Sequence, residues 1–254
     1  LWEMMDTWNM FDDLSPEHQL RFDLALIHRY MADHHWHEGV VNHLTAMLPD
    51  SAEHFLALPY GLHWSEVKSS DFLVADFDGH VISGVGEVEP SNLNIHGAIH
   101  QQVPRARAIL HSHQPNITAL TLLKDQTITM SSQHALRFAE RIAYLGMYGD
   151  PSDTAIGGTI VDSLKTKDVL MCANHGVIIS RPYLWDAFDD LYFLDRACEI
   201  QLKAMHTGRE LNIIPASTAN DYGQNIIKWS KKEGQKHFIA LRRMYHKKYP
   251  DLVQ

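Results

Sequence analysis

The residues with the clearest chemical potential are His111 and His113, which lie in the run Ala108-Ile109-Leu110-His111-Ser112-His113. In a strand, side chains at i and i+2 project from the same face, so the two imidazoles stand together with Ser112 turned away. His113 falls where the strand ends and Pro115 opens a helix, the kind of edge at which α/β proteins place binding crevices. A third imidazole, His175, sits in the turn Asn174-His175-Gly176, where the glycine is expected to allow a backbone conformation that other residues resist. Three neutral imidazoles suit a borderline divalent ion such as zinc and leave a fourth position for water or substrate, the arrangement of catalytic sites. A His-x-His pair alone fits equally well two satisfied histidines on a polar strand face. The case for a metal therefore depends on His175 joining the pair.

Two other histidine groups compete for attention. His96 and His100 are four apart and share a helical face, but the glutamate that accompanies helical metal-binding pairs in metallohydrolases is missing, so they read as pocket or packing residues. The cluster His34-His35-x-His37 reads as surface loop.

The elements that must hold these residues are legible in outline. Ser15-Pro16-Glu17 is a helix start, with Leu20, Leu24, Ile27 and Met31 on one face, and the helix should run to about His34. Residues 40–48 and 55–58 are short apolar runs, and 72–77 and 81–85 flank Asp78-Gly79 as a hairpin. Leu93, Ile95, Ile99 and Val103 fit a helix closed by Pro104; helices are also expected from Pro115, over 132–145 and over 185–205, and strands over 169–173 and 177–179. Mixed strands and helices without repeats favour one layered α/β domain over residues 1–254, with a helical tail from about Pro215.

Composition narrows the function classes. A net charge of −9 argues against nucleic acid as the main partner, because phosphate binding draws on clustered Lys and Arg. The one basic stretch, Lys228 through Lys248, alternates with Ile227, Trp229, Phe238, Leu241 and Met244 and reads as the solvated side of an amphipathic helix. No apolar run is long enough to span a bilayer, and the acidic N-terminus is unlike a secretory signal. Cys172 and Cys198, in apolar surroundings, read as buried thiols of a cytoplasmic protein. A small organic ligand is the expected partner.

The segment Asn94-Ile95-His96-Gly97-Ala98-Ile99-His100, the strand ending in His111-Ser112-His113 and the turn Asn174-His175-Gly176 together resemble the class II aldolase and adducin family. The likeness runs from the Arg21 helix through Asn42-His43-Leu44-Thr45 and Pro59-Tyr60-Gly61-Leu62 to Ala197-Cys198-Glu199-Ile200-Gln201, with closing segments similar to the adducin-like branch. This resemblance implies a three-layer α/β/α sandwich, a homotetramer with active sites between subunits, and one divalent ion on His111, His113 and His175. Zinc is the expected ion, with Fe(II), Mn or Co as alternatives. In the family's sugar-phosphate aldolases the metal polarises the substrate's carbonyl and hydroxyl oxygens as the carbon–carbon bond opens.

The sequence departs from that pattern where it matters. The acid/base glutamate of the aldolases corresponds to Asn92, whose amide takes up no proton at neutral pH; Glu87 and Glu89 are nearby, but no motif puts either in the vacated role. The family's phosphate-binding positions are altered as well. Its Gly-Asn pair appears as Asn42-His43, its Thr-Gly as Tyr60-Gly61 and its Ser-Ser as Pro90-Ser91, which argues against a phosphorylated substrate. His134 falls near the position where the aldolases supply a tyrosine from a neighbouring subunit, and is a candidate general acid. The resulting expectation is a metal-dependent lyase. Asn92 and His134 are its catalytic candidates, and Asn42, Tyr60, Gly61, Ser91 and His96 are its substrate-binding candidates. An Fe(II)-dependent oxygenase on the same fold and a non-catalytic adducin-like interaction protein are the alternatives.

Overall fold

The computed structural model describes residues 14–148 and 154–254. The first helix, α1 (Pro16–Asp33), starts as its sequence dictates: the Ser15 side chain accepts from the His18 N–H and proline occupies the first turn, while Phe22 through Met31 are buried. Strands β1 (His43–Met47), β2 (His54–Ala57), β3 (Leu73–Asp76) and β4 (Val81–Ser83) follow. The expected hairpin is present, with β3 and β4 joined through Gly79 at a φ of 87°.

Next comes α2, residues 90–102, whose middle turn Leu93–Gly97 widens into a π-helical segment. It leads to β5 (Ala108–Ser112) and α3 (Pro115–Thr121). The remaining elements are α4 (Gln133–Leu136), β6 (Ile142–Leu145), α5 (Thr154–Leu164), β7 (Val169–Cys172), β8 (Gly176–Arg181), α6 (Leu184–His206) and α7 (Ala216–Lys248).

The strands form one eight-stranded sheet in the order β4-β3-β2-β1-β5-β8-β7-β6, with β6 and β7 parallel and the other pairs antiparallel. Alternation along each strand feeds two cores. Leu44, Leu110, Val177 and Ile179 face Ile27 of α1, Ile117 of α3, Phe188 of α6 and Phe238 of α7. Ile109, Leu170 and Ile178 face Ile95 and Ile99 of α2 and Val161 of α5. Helices on both faces of one sheet make the expected α/β/α sandwich.

Three expectations are corrected. Residues 132–145 are not one helix: only Gln133–Leu136 is helical, Glu140 takes a φ of 60°, and 142–145 add a parallel strand beside β7. Arg141 fixes that turn by pairing with Asp168 and Asp190. Helix α5 was not foreseen, because Gly157-Gly158 disfavours a helix interior. A Cβ on Gly157 would lie 3.1 Å from the Asn94 carbonyl, so the glycine permits close packing of α5 on α2. In α7 the buried stripe is Ile226, Phe238, Leu241 and Tyr245, whereas Ile227, Trp229 and Met244 are exposed. Both cysteines are buried free thiols, and no helix among the described residues is long and apolar enough to cross a membrane.

Candidate metal centre

The register of the central strands builds the site. His111 is the penultimate residue of β5, on the α2 side of the sheet with Ile109, and is buried. Its Nδ1 donates to the Val177 carbonyl of β8 at 3.0 Å. His113, just past the strand, donates from Nδ1 to the Glu38 carboxylate at 2.6 Å. Both partners are pure acceptors, so both rings carry a proton on Nδ1, and a neutral ring in this tautomer presents its Nε2 lone pair. The two Nε2 atoms face each other at 3.1 Å. Two lone pairs held this close repel unless a proton or a metal ion lies between them. Tetrahedral zinc with bonds of about 2.05 Å sets its nitrogens about 3.3 Å apart, close to the observed spacing.

His175 completes the group from the β7–β8 turn, its ring centroid 5.0 Å from that of His111 and 4.5 Å from that of His113. One nitrogen from each ring lies within 4.8 Å of the other two. The turn works differently from the sequence expectation. Asn174, not Gly176, adopts the left-handed conformation, with φ at 58°. Gly176 is needed for space instead: a Cβ there would meet the Ser112 carbonyl at 2.5 Å and the His113 ring at 2.6 Å. Burial pushes His111 well below the ordinary imidazole range, with His113, His175 and His43 adding to it. Burial and His113 push His175 down to about 4, against the opposing pull of Glu38. Both are therefore neutral at pH 7, as ligation requires.

A small polar cleft lies beside His111, reached through His43. His43, paired in register with His111 across β1 and β5, stacks at 5.8 Å from it. Asn42, held at a φ of 78°, His43, Tyr60, Glu89 and Asn92 line this cleft. Ser91 bonds His43 Nε2 at 3.1 Å and Glu89 Oε2 at 2.5 Å, and Gly61 forms the turn after Tyr60 with φ at 95°. Four of the five substrate-binding candidates, Asn42, Tyr60, Gly61 and Ser91, thus lie in or beside the cleft.

His96, the fifth, belongs to a separate chain of bonds. His100 Nδ1 donates to the Ala106 carbonyl at 2.7 Å, so its Nε2 accepts from Thr45, whose oxygen in turn accepts from His96 Nδ1, both at 2.8 Å. This leaves a buried lone pair on His96 Nε2 with no partner. Burial lowers His96 well below its ordinary range and His100 to about 4. His96 is outside the cluster of three, although its ring lies 5.5 Å from that of His43.

The two catalytic candidates fare differently. Asn92 is buried at the cleft with its Oδ1 unpartnered. His134 sits in α4 with its ring 5.5 Å from Phe193 of α6, and burial together with Arg137 and Arg196 lowers its pKa. None of these contacts reaches the three histidines within this chain.

Sequence reasoning missed Glu38, which orients His113, and Tyr148, whose ring is 6.1 Å from that of His175. It also left Glu89 without a role. Glu89 caps α2 by accepting from the Asn92 N–H at 2.9 Å and pairs with His43 Nε2 at 2.9 Å. A carboxylate followed by Pro90 is itself a helix-start signal, and could have placed it. Burial alone would raise this carboxyl, but the bonds from His43, Ser91 and Asn92 bring it down to about 2, so it is a fixed anion and a poor base. A second group, Asp76, Asp78 and His80, also converges, but it lies on the exposed β3–β4 turn, where Asp76 accepts from the backbone of residues 78 and 80.

The Class II Aldolase and Adducin N-terminal domain matches residues 22–202. The chain belongs to the class II aldolase and adducin family. An aldolase II superfamily protein from Pseudomonas syringae superposes with a TM-score of 0.86 at 28% identity, covering 96% of this chain and 98% of that one. An L-fuculose 1-phosphate aldolase from Glaciozyma antarctica PI12 superposes at 0.80 with 25% identity and 92% coverage of both. Alpha-adducin of Rattus norvegicus is 29% identical over 90% of this chain, which spans only 33% of that relative's length. This class II aldolase and adducin family member thus resembles both an L-fuculose 1-phosphate aldolase and an alpha-adducin.

Proposed function

We propose that the protein is a metal-dependent lyase that cleaves a carbon–carbon bond, by aldol chemistry or decarboxylation, in a small, non-phosphorylated hydroxy or oxo compound. The observation that carries this reading is the approach of His111 Nε2 to His113 Nε2 at 3.1 Å, with both Nδ1 atoms donating elsewhere and His175 beside them. His111, His113 and His175 would hold the ion, zinc in the first instance. Such an ion, when bound, supplies Lewis-acid polarisation of substrate oxygens. The Val177 carbonyl and the Glu38 carboxylate keep two rings in the ligating tautomer.

Asn92 contributes binding and orientation through its unpartnered Oδ1, but accepts no proton at neutral pH. That favours decarboxylation over retro-aldol cleavage, because loss of CO₂ leaves the electron pair on the substrate without a base removing a hydroxyl proton. His134 serves as a general acid only if a neighbouring subunit brings it to the site, which ties this role to assembly as a homotetramer. A second reading, a non-catalytic interaction protein, draws on the alpha-adducin likeness along 90% of the chain.

The deciding experiment loads the purified protein separately with zinc, Fe(II), Mn and Co. Each form is assayed against hydroxy acids and aldol compounds, with oxygen consumption followed in the Fe(II) form. Turnover dependent on one metal is the expected result. Inactivity of every form across the panel would refute the lyase and favour the interaction protein, and substrate-coupled oxygen consumption would favour an Fe(II) oxygenase.

A further inference from the structure

The face of the sheet opposite His111 carries a cavity of about 720 Å³. Its origin lies in one register pair. On that face β1 and β5 set Leu44 against Leu110 and, two residues along, Ala46 against Ala108. The leucines fill the space under the helices, and the alanines leave it open. Leu20 of α1, Trp185 of α6 and Phe238 and Ile239 of α7 form the walls. The volume falls within the range of about 300–1,000 Å³ that holds small organic molecules. Ala108 precedes His111 by three residues, about 10 Å along β5, and points to the other face, so the cavity is separate from the metal centre.

The charged residues lining this cavity are Asp23, Arg107 and Arg242. Asp23 accepts two bonds from Arg242, at 2.8 and 2.6 Å, and the pair is neutral. Arg107 is different. Its Nη2 donates to the Leu48 carbonyl at 2.6 Å, with the Pro49 and Ser51 carbonyls at 3.4 Å, which fixes the guanidinium without neutralising it. Arg105, Arg141, Arg181 and Arg242 are also part-buried, and each holds an aspartate; Arg107 has no carboxylate partner among the described residues. A guanidinium keeps its charge at every physiological pH. An apolar hollow thus contains one uncompensated cation. A molecule with an apolar body and a single carboxylate answers both features, whereas a neutral molecule leaves the cation unpaired and a second charge has no partner.

We propose that this cavity binds an apolar monocarboxylate, aryl or alkyl, whose carboxylate pairs with Arg107 and whose body lies over Ala46 and Ala108. The site stands apart from the lyase reading and holds whether or not that reading does.

Calorimetry on the full chain tests it with naphthylacetate, decanoate and the amide of each. One acid bound per chain is expected, about tenfold or more tighter than its own amide, and which acid binds distinguishes an aryl from an alkyl body. Arg107→Gln should weaken the acid by about tenfold and leave the amide unchanged, while Arg107→Lys restores most of the preference. A merely structural Arg107 would lower acid and amide alike. Ala46→Leu should fill the floor and abolish binding of the acid; Ile239→Trp, at a part-buried wall position, does the same where Ala46→Leu fails to fold. His111→Ala should bind the acid as the wild type does, because a carboxylate held at the metal centre would be lost. The proposal is overturned if neither acid binds saturably, if acid and amide bind equally, or if Arg107→Gln weakens both alike. Loss of binding in His111→Ala, or unchanged binding in Ile239→Trp, overturns it too. Sedimentation covers the remaining occupant: a dimer that Ile239→Trp dissolves, with neither acid bound by the wild type, makes this face an interface between copies of the chain and also overturns the proposal.

Discussion

Replacing Gly176 by alanine tests whether the turn after β7 holds the three histidines in a metal-binding arrangement. The added Cβ would lie 2.5 Å from the Ser112 carbonyl and 2.6 Å from His113 Cδ2, where ordinary contact begins at 3.4 Å. The Ser112 carbonyl belongs to a strand paired on both sides, so it yields little, and the His113 ring must move by most of an ångström. Overpacking of this kind costs about 1–3 kcal/mol of stability. Metal bonds tolerate displacements of only about 0.2 Å, so affinity should fall by about 100-fold, equivalent to about 2.7 kcal/mol. Competitive titration against a chromophoric chelator measures the affinity, and urea unfolding of the metal-free protein measures the stability. Gly176 carries no positive φ, so backbone strain does not confound the result, and Asn174→Gly, which relaxes the left-handed residue next to His175, should leave affinity within a few-fold of wild type. Wild-type affinity in Gly176→Ala, or equal loss in Asn174→Gly, would refute the steric account.

Three further outcomes are expected. His111→Ala should remove stoichiometric metal from the purified protein, as measured by elemental analysis; one ion per chain retained in that variant would exclude the ligand assignment. Glu38→Gln should weaken metal binding by about 10-fold, at the low end for a ligand-orienting carboxylate because Glu38 is half-exposed, and unchanged affinity by the same titration would count against the tautomer argument. Stability of the metal-free protein should depend on its buried histidines, His28, His96, His100, His111 and His175, all pushed by burial below 6.5, with His28, His100 and His175 at about 4. Their folded pKa values lie below the unfolded ones, so the native state binds fewer protons between those limits. Stability is then full above pH 6.5, falls as pH drops toward about 4, and loses at most about 3 kcal/mol per histidine. Urea midpoints from pH 7.5 to 4.5 measure this slope, and His28→Phe should flatten it by about one histidine's share, roughly a fifth.

What the sequence disclosed, and what it withheld, follows the range of the interactions concerned. The start of α1 was readable because Ser15 and Pro16 act on their own neighbours. The shared face of His111 and His113 was readable because a strand alternates every two residues. Strand β6 was not, because residues 142–145 become a strand only by lying parallel to residues 169–172, a pairing that local periodicity does not encode. Neither was the role of Glu38, which is 75 residues from His113. Glu89 shows the intermediate case: its place at the head of α2 was written in the sequence beside Pro90, but the neighbours that fix its charge, above all His43, come from another strand.

The pairing of β5 with β8 has a kinetic consequence. The residues it joins, Ser112 with Val177 and His111 with Ile178, are separated by more than sixty positions along the chain. Closing so long a loop is slow, and until it closes the His-x-His pair has no third imidazole and no Val177 carbonyl to set its tautomer. An ion added during refolding should therefore be captured only after the middle of the sheet has zipped together. Once captured, it binds the native chain far better than the unfolded one, and so slows the reopening of the sheet.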